Sequence, residues 1–226
     1  MAIHAIVWDV GGVLLRTADF APRDALARAH GLTPLQLDHM VFGKDDAFRA
    51  QLGQVSYAQH WANLAARLGM DEEGIAAFRD AFFATDGLDE DLIESIRELR
   101  SQGYCTAVLS NYWDALRMQI TDEWQIDDAF QRLIISSEVG LMKPDSAIYD
   151  LLLESIGFTT EETVFIDDSL ENVRAAQQLG IHGVPFFVFD DKYAVSGAQP
   201  TTLFLDVLNN VWIESHPEEA KAETQS

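Results

Sequence analysis

Three carboxylates, one lysine and a hydroxyl–amide pair stand where apolar runs of this chain end. Asp9 closes the mostly apolar stretch 3–8 and is followed by Val10-Gly11-Gly12. Ser110-Asn111 follows the run 104–109, and Asp167-Asp168 follows the run 163–166. Lys143-Pro144 stands in the loop after a shorter run at 133–136. If these runs are parallel strands of one sheet, their carboxyl ends share one edge, where open α/β sheets hold their ligands. Carboxylates crowded there repel one another unless a cation sits among them. Hard oxygen donors without Cys or His point to Mg²⁺. One cation and one lysine beside a nucleophilic carboxylate form a phosphoryl-transfer site, with small polar groups donating to the phosphate oxygens. Gly11 and Gly12 let an anion approach main-chain N–H groups closely.

The elements that must position these groups follow from periodicity. Residues 3–8 suit a strand buried on both faces. The stretch from about 18 to 86 holds no good strand. It reads as five helices, at 22–30, 34–41, 45–52, 57–68 and 72–84. Thr33 with Pro34, and Ser56, are helix-start signals, and Gly31 and Gly69 are stops. From 88 onward helix and strand alternate. Helices are expected at 90–100, 113–122, 146–156, 170–179 and 201–211, and strands at 104–109, 133–136, 163–166 and 183–189. This pattern implies a three-layer, Rossmann-like α/β fold with a mostly parallel sheet. The expected division is a core of residues 1–15 and 88–213, a helical insert at 16–87, and a polar tail at 214–226.

Composition narrows the partners. Fifteen basic and thirty-seven acidic residues give a formal charge of −22. That disfavours nucleic acid and anionic membranes. An anionic substrate then needs a locally positive spot, which Mg²⁺ and Lys143 would supply. The single cysteine, Cys105, excludes an internal disulfide and a multi-cysteine metal site, and its apolar surroundings point to a buried, inert thiol. No apolar run is long enough to span a membrane, and no leader pattern opens the chain. The expectation is a cytoplasmic protein, monomeric or homodimeric.

The four groups in order, Asp9-Val10-Gly11-Gly12-Val13-Leu14, Ser110-Asn111, Lys143-Pro144 and Asp167-Asp168-Ser169-Leu170-Glu171-Asn172, resemble the four motifs of the haloacid dehalogenase superfamily. The helical insert resembles the mobile cap of its phosphatase members. The resemblance spans residue 3 to about 211. Asp-x-Gly in the first motif and the Lys-Pro segment resemble most the bacterial α-D-glucose-1-phosphate phosphatase-like branch. The resemblance implies Asp9 as nucleophile, forming an aspartyl-phosphate, and as a metal ligand. The Gly11 carbonyl and Asp168 would complete the protein's share of the Mg²⁺ shell, with Asp167 acting nearby. Ser110, the Asn111 main chain and the Gly12 N–H would hold phosphoryl oxygens. Lys143 would neutralise the phosphate and orient Asp9, and Asn172 would support the metal loop. The implied substrate is a small phosphorylated metabolite.

One position departs from that pattern. Most phosphatases of the superfamily carry a second Asp two residues after the nucleophile, as the acid for the leaving oxygen. Here the position is Gly11. Such acid–base help is worth about 10²–10⁴ in rate. Hydrolysis is still expected, with a metal-organised water or a cap residue (His39, Asp45, Asp46 or His60) as substitute. The alternatives are a dehalogenase, which needs no metal, and a low-activity binding protein using the aromatics Tyr112 and Trp113. A cap with few basic residues beyond Lys44 and Arg49 favours a modest organic phosphate, such as a sugar phosphate, over a polyanion.

Overall fold

The computed structural model describes residues 2–43 and 46–185. A five-stranded sheet carries the fold, in the order β5-β4-β1-β6-β7. The strands are β1 (Ala5–Trp8), β4 (Cys105–Ser110), β5 (Arg132–Ile135), β6 (Thr163–Asp167) and β7 (His182–Pro185). All their pairings are parallel. Two short strands, β2 (Leu15–Thr17) and β3 (Asp86–Leu88), form a separate antiparallel ribbon.

β1 is central and buried along its whole length. Alternate side chains enter opposite layers, as the pleat requires. Ile6 and Trp8 join one apolar cluster with Ile93 and Ile96 of α6 (Glu90–Ser101). Val7 joins the other with Leu152 of α9 (Ser146–Ile156) and Ala176 of α10 (Leu170–Gln178). Helices thus cover both faces of a parallel sheet, the three-layer arrangement expected from the alternation.

Between β2 and β3 lie five helices: α1 (Ala21–Ala29), α2 (Pro34–Val41), α3 (Asp46–Gln51), α4 (Tyr57–Leu68) and α5 (Glu72–Phe82). Thr33 caps α2 through a reciprocal box with Gln36, and Ser56 caps α4 by accepting from the Gln59 N–H. Gly69 ends α4 with φ +65°, a conformation costly for residues with a Cβ. The ribbon pairs Leu15 with Leu88 and Thr17 with Asp86, so the insert leaves and rejoins the core on adjacent strands. Periodicity gives no sign of this ribbon, because three-residue strands are too short to carry one.

Three other expectations are corrected. The stretch 113–122 is not one α-helix: α7 spans Leu116–Met118 and passes into a π-helical turn, Gln119–Glu123. The loop after β5 begins with a short helix, α8 (Ser136–Val139). Cys105 is half-buried rather than fully enclosed. The helix expected at 201–211, the tail at 214–226 and most of the strand at 183–189 lie outside the described residues.

Candidate active site

Register brings the carboxylates together. Trp8 pairs with Val108 on one side and Ile166 on the other. One step further along each strand, Asp9 stands level with Leu109 and Asp167. The Asp9 N–H donates to the Ile166 carbonyl at 2.9 Å, so the backbone is still tied to β6 where the side chain leaves the sheet. β1 has neighbours on both sides at the switch point of the strand order, where such sheets open a crevice.

Lys143 closes the constellation from above. Its side chain is fully enclosed, and its ammonium donates to the Leu109 carbonyl at 3.0 Å and to Asp167 Oδ2 at 2.6 Å. The same nitrogen lies 3.0 Å from Asp9 Oδ1. One cation therefore bridges the ends of β1, β4 and β6. Burial opposes its charge, but Asp9 and Asp167 outweigh burial and hold the ammonium above its usual range. The loop bearing it is fixed by Asn111, whose side chain donates to the Lys143 carbonyl and accepts from the Lys143 N–H, both at 2.8 Å.

Asp167 is fully buried. Besides Lys143 it receives the Ser169 N–H at 2.7 Å and the Asn172 amide at 3.1 Å on each oxygen. Asn172 lies in the first turn of α10, where Ser169 is the cap. With its lone pairs engaged, Asp167 is placed to orient Lys143.

Asp9 and Asp168 are left facing the cleft. Burial first, then the neighbouring Asp167, push Asp9 up to about 6 against the opposing pull of Lys143 and Ser110. Asp168 is open to the cleft but ringed by protein. That enclosure, then Asp9 and Asp167, raises its carboxyl to about 7, with Lys143 opposing. Ligand oxygens of Asp9, Asp167 and Asp168 lie within 4.8 Å of one another. Carboxylates that resist ionisation together have the chemistry of a hard-cation site, since a divalent ion repays their repulsion. The donor set fits Mg²⁺: Asp9 Oδ1 is engaged by Lys143 and by the Val10 N–H at 2.7 Å, which leaves Asp9 Oδ2 and the Asp168 carboxylate to bind it.

The glycines divide the work. A Cβ on Gly11 would meet nothing within 4 Å, while one on Gly12 (φ +71°) would run into the Asp168 carboxylate. The Gly12 N–H is not free for phosphate, however. It donates to the Leu15 carbonyl at 2.9 Å, closing the turn that leads into β2. Gly12 serves the site by letting Asp168 come close. Ser110 and Asn111 do line the cleft, together with Asp9, Gly11 and Asp168.

None of the three described cap candidates for the missing acid reaches this cleft. His60 is buried in α4, stacked on Trp113 with ring centroids 5.4 Å apart, and burial lowers its pKa. Asp46 is held by Asn63 at 2.9 Å and Arg49 at 3.2 Å. His39 is exposed on α2, and Asp45 and Lys44 lie outside the described residues. Two carboxylates of the 16–87 insert do line the cleft: Asp86, paired with Arg23, and Asp38, one residue before His39. The phase of Asp38 on α2, four residues before the cleft-lining Phe42, was the available signal. Tyr112 and Trp113 are buried, not displayed. Trp113 stacks on Phe42 at 5.6 Å, packing cap against core.

Fold and site together define a hydrolase of the α/β class with an ammonium and a carboxylate cluster able to coordinate a metal at one sheet edge. Residues 3–180 match the model of the haloacid dehalogenase-like hydrolases, and the chain belongs to that family. It is 27% identical over 187 residues to the sesquiterpene phosphatase astK of Aspergillus oryzae, covering 80% of this chain and 88% of that enzyme. It is 24% identical to bifunctional epoxide hydrolase 2 of Rattus norvegicus, covering 89% of this chain but only 39% of that longer protein. Its fold is similar to that of a HAD-like hydrolase of Porphyromonas gingivalis (TM-score 0.71, 22% identity, 92% and 98% of the two chains). It is also similar to a HAD family enzyme of Bacteroides thetaiotaomicron solved with magnesium and inorganic phosphate (TM-score 0.67, 22% identity, 90% and 100%). Among the described residues no helix is long and apolar enough to cross a membrane.

Proposed function

We propose that the protein hydrolyses a small organic phosphomonoester, using Mg²⁺ and a covalent aspartyl-phosphate on Asp9. The observation that carries this reading is the Lys143 ammonium 3.0 Å from Asp9 Oδ1, beside a carboxylate cluster that a cation can neutralise. The magnesium-and-phosphate complex of the Bacteroides enzyme supports it.

An Asp9 oxygen attacks phosphorus as the bond from phosphorus to the substrate oxygen breaks. The departing oxygen takes a proton from water, because position 11 carries no acid. Water then attacks the phosphorus of the aspartyl-phosphate, releasing inorganic phosphate and restoring Asp9. Lys143 offsets the charge on the phosphoryl oxygens and holds Asp9 in place. Ser110 and the Asn111 main chain donate to those oxygens. Asp9, Asp168 and the Gly11 carbonyl would hold Mg²⁺. When bound, that ion polarises the phosphoryl group and neutralises its charge. Asp167 and Asn172 fix Lys143, and the cap at 16–87 selects the substrate in a cytoplasmic setting. Taken by themselves, the first and third motifs suggest a sugar phosphate of the glucose-1-phosphate kind.

The test is a screen of phosphorylated metabolites with and without Mg²⁺, with Asp9→Asn as control. Phosphate release that needs both Mg²⁺ and Asp9 is expected. Activity on 2-haloacids persisting in excess EDTA would mean a dehalogenase instead. Failure to trap beryllium fluoride on Asp9 would point to a binding protein.

A further inference from the structure

The cleft at Asp9 has a volume of about 610 Å³ and is lined by residues of both the core and the cap. Its apolar lining is formed by Leu15, Phe20, Phe42, Phe83 and Tyr112. These rings are not loose surface groups. Phe42 packs on Phe82, Phe83 and Trp113 with centroids 5.6, 6.1 and 5.6 Å apart. Tyr112 packs on Trp113 at 5.0 Å. Packing within the protein is therefore enough to form the wall. Phe20 alone projects into water at the mouth, 49% exposed.

The polar groups among these rings are already committed. Arg23 gives two hydrogen bonds of 2.7 Å to Asp86 and one of 2.9 Å to the Phe82 carbonyl. Thr17 donates to the same Asp86 at 2.8 Å. Arg16 is paired with Asp89 at 2.8 Å. The Gln51 amide donates to the Phe42 carbonyl at 3.0 Å. Apart from Asp168 beside Asp9, Asp38 is the cleft-lining charged side chain with no hydrogen bond or ion pair among the described residues, and it is acidic. A second phosphate or a carboxylate on the substrate would meet paired cations and that carboxylate. A polyol would leave hydroxyls unpaired against rings, with the desolvation penalty of buried polar groups.

We infer that the leaving group is an uncharged, apolar alcohol, aryl or prenyl in type, seated on the Leu15–Phe20–Phe42–Phe83–Tyr112 wall while its phosphate lies at Asp9. This rests on the phosphatase reading and replaces its sugar phosphate candidate with the opposite class. An apolar group is favoured because the wall offers ring and aliphatic area and, apart from the Tyr112 hydroxyl, no donor.

The experiment measures binding of n-alkylphosphonates from butyl to octyl by calorimetry in Mg²⁺, with inorganic phosphate as reference. Affinity should rise about two- to fourfold for each added methylene. Phe20→Ser, an exposed position, should lower octylphosphonate affinity severalfold and leave inorganic phosphate binding unchanged. Turnover of 1-naphthyl phosphate or farnesyl phosphate should exceed that of glucose 1-phosphate and glycerol 3-phosphate at least tenfold, and the better of the first two identifies the source. Phosphate binding with a flat phosphonate series, or a preference for the polyol phosphates, overturns the inference and leaves the phosphatase reading standing. No binding of inorganic phosphate in Mg²⁺ overturns both.

Discussion

The Lys143 ammonium lies 2.6 Å from Asp167 Oδ2, and neither side chain exposes any surface. A buried pair of this kind is weak support for stability when intact but costly to break, since the survivor is left charged and unsolvated. Lys143→Met should therefore lower stability by about 3–5 kcal/mol and abolish turnover. The double variant Lys143→Met with Asp167→Asn should recover most of the stability and none of the activity. Chemical denaturation and a phosphatase assay check both halves. Full loss of stability in the double variant would mean that packing, not charge, holds this centre.

Asn111 positions Lys143 through two main-chain hydrogen bonds. Asn111→Ala should cost roughly 1–3 kcal/mol of stability. It should lower kcat by about 10²-fold, since a misplacement of about 1 Å is enough for that. Asn111→Asp retains the acceptor for the Lys143 N–H and should fall between the two. Comparable losses in both variants would show that the amide donor carries the effect.

Adjacent glycines should respond in opposite ways. The space where a Gly11 side chain would begin is open, so Gly11→Asp can supply the missing acid. It should raise kcat on alkyl phosphates, by up to about 10²–10⁴-fold, and change the pH profile little on aryl phosphates, whose oxygen leaves unaided. Gly12→Ala should remove activity, because its Cβ meets Asp168 and its φ is positive. Parallel steady-state kinetics on the two variants test this.

In metal-free protein Asp9 is raised to about 6 and Asp168 to about 7. The folded state then binds more protons than the unfolded chain between roughly pH 4 and 7. Stability of the chelated protein should fall as pH rises through that window, by on the order of 2–3 kcal/mol from Asp9. Mg²⁺ should restore it at pH 8 and do little at pH 5, where the carboxyls hold their protons. Melting temperatures across pH, with and without Mg²⁺, measure the effect. Asp168→Asn should flatten the metal-free curve and weaken the Mg²⁺ response.

The chain itself determined which groups could react and that one sheet edge would gather them. Asp9, Ser110, Lys143 and Asp167 each close or follow an apolar run, and helix–strand alternation forces those runs parallel. Cap signals at Thr33 and Ser56 placed α2 and α4 because capping is local chemistry. Only the tertiary structure decided how the groups share labour. Asp167 is spent on Lys143 and Asn172, the Gly12 amide on Leu15, and Asn111 on the lysine loop, while Asp9 Oδ2 and the Asp168 carboxylate face the cleft. Those assignments depend on strand register and on distances between residues far apart in sequence, to which periodicity is blind. The aromatic wall is of the same kind: Phe20, Phe42, Phe83 and Tyr112 lie on separate segments and become one surface only when the cap packs against the core.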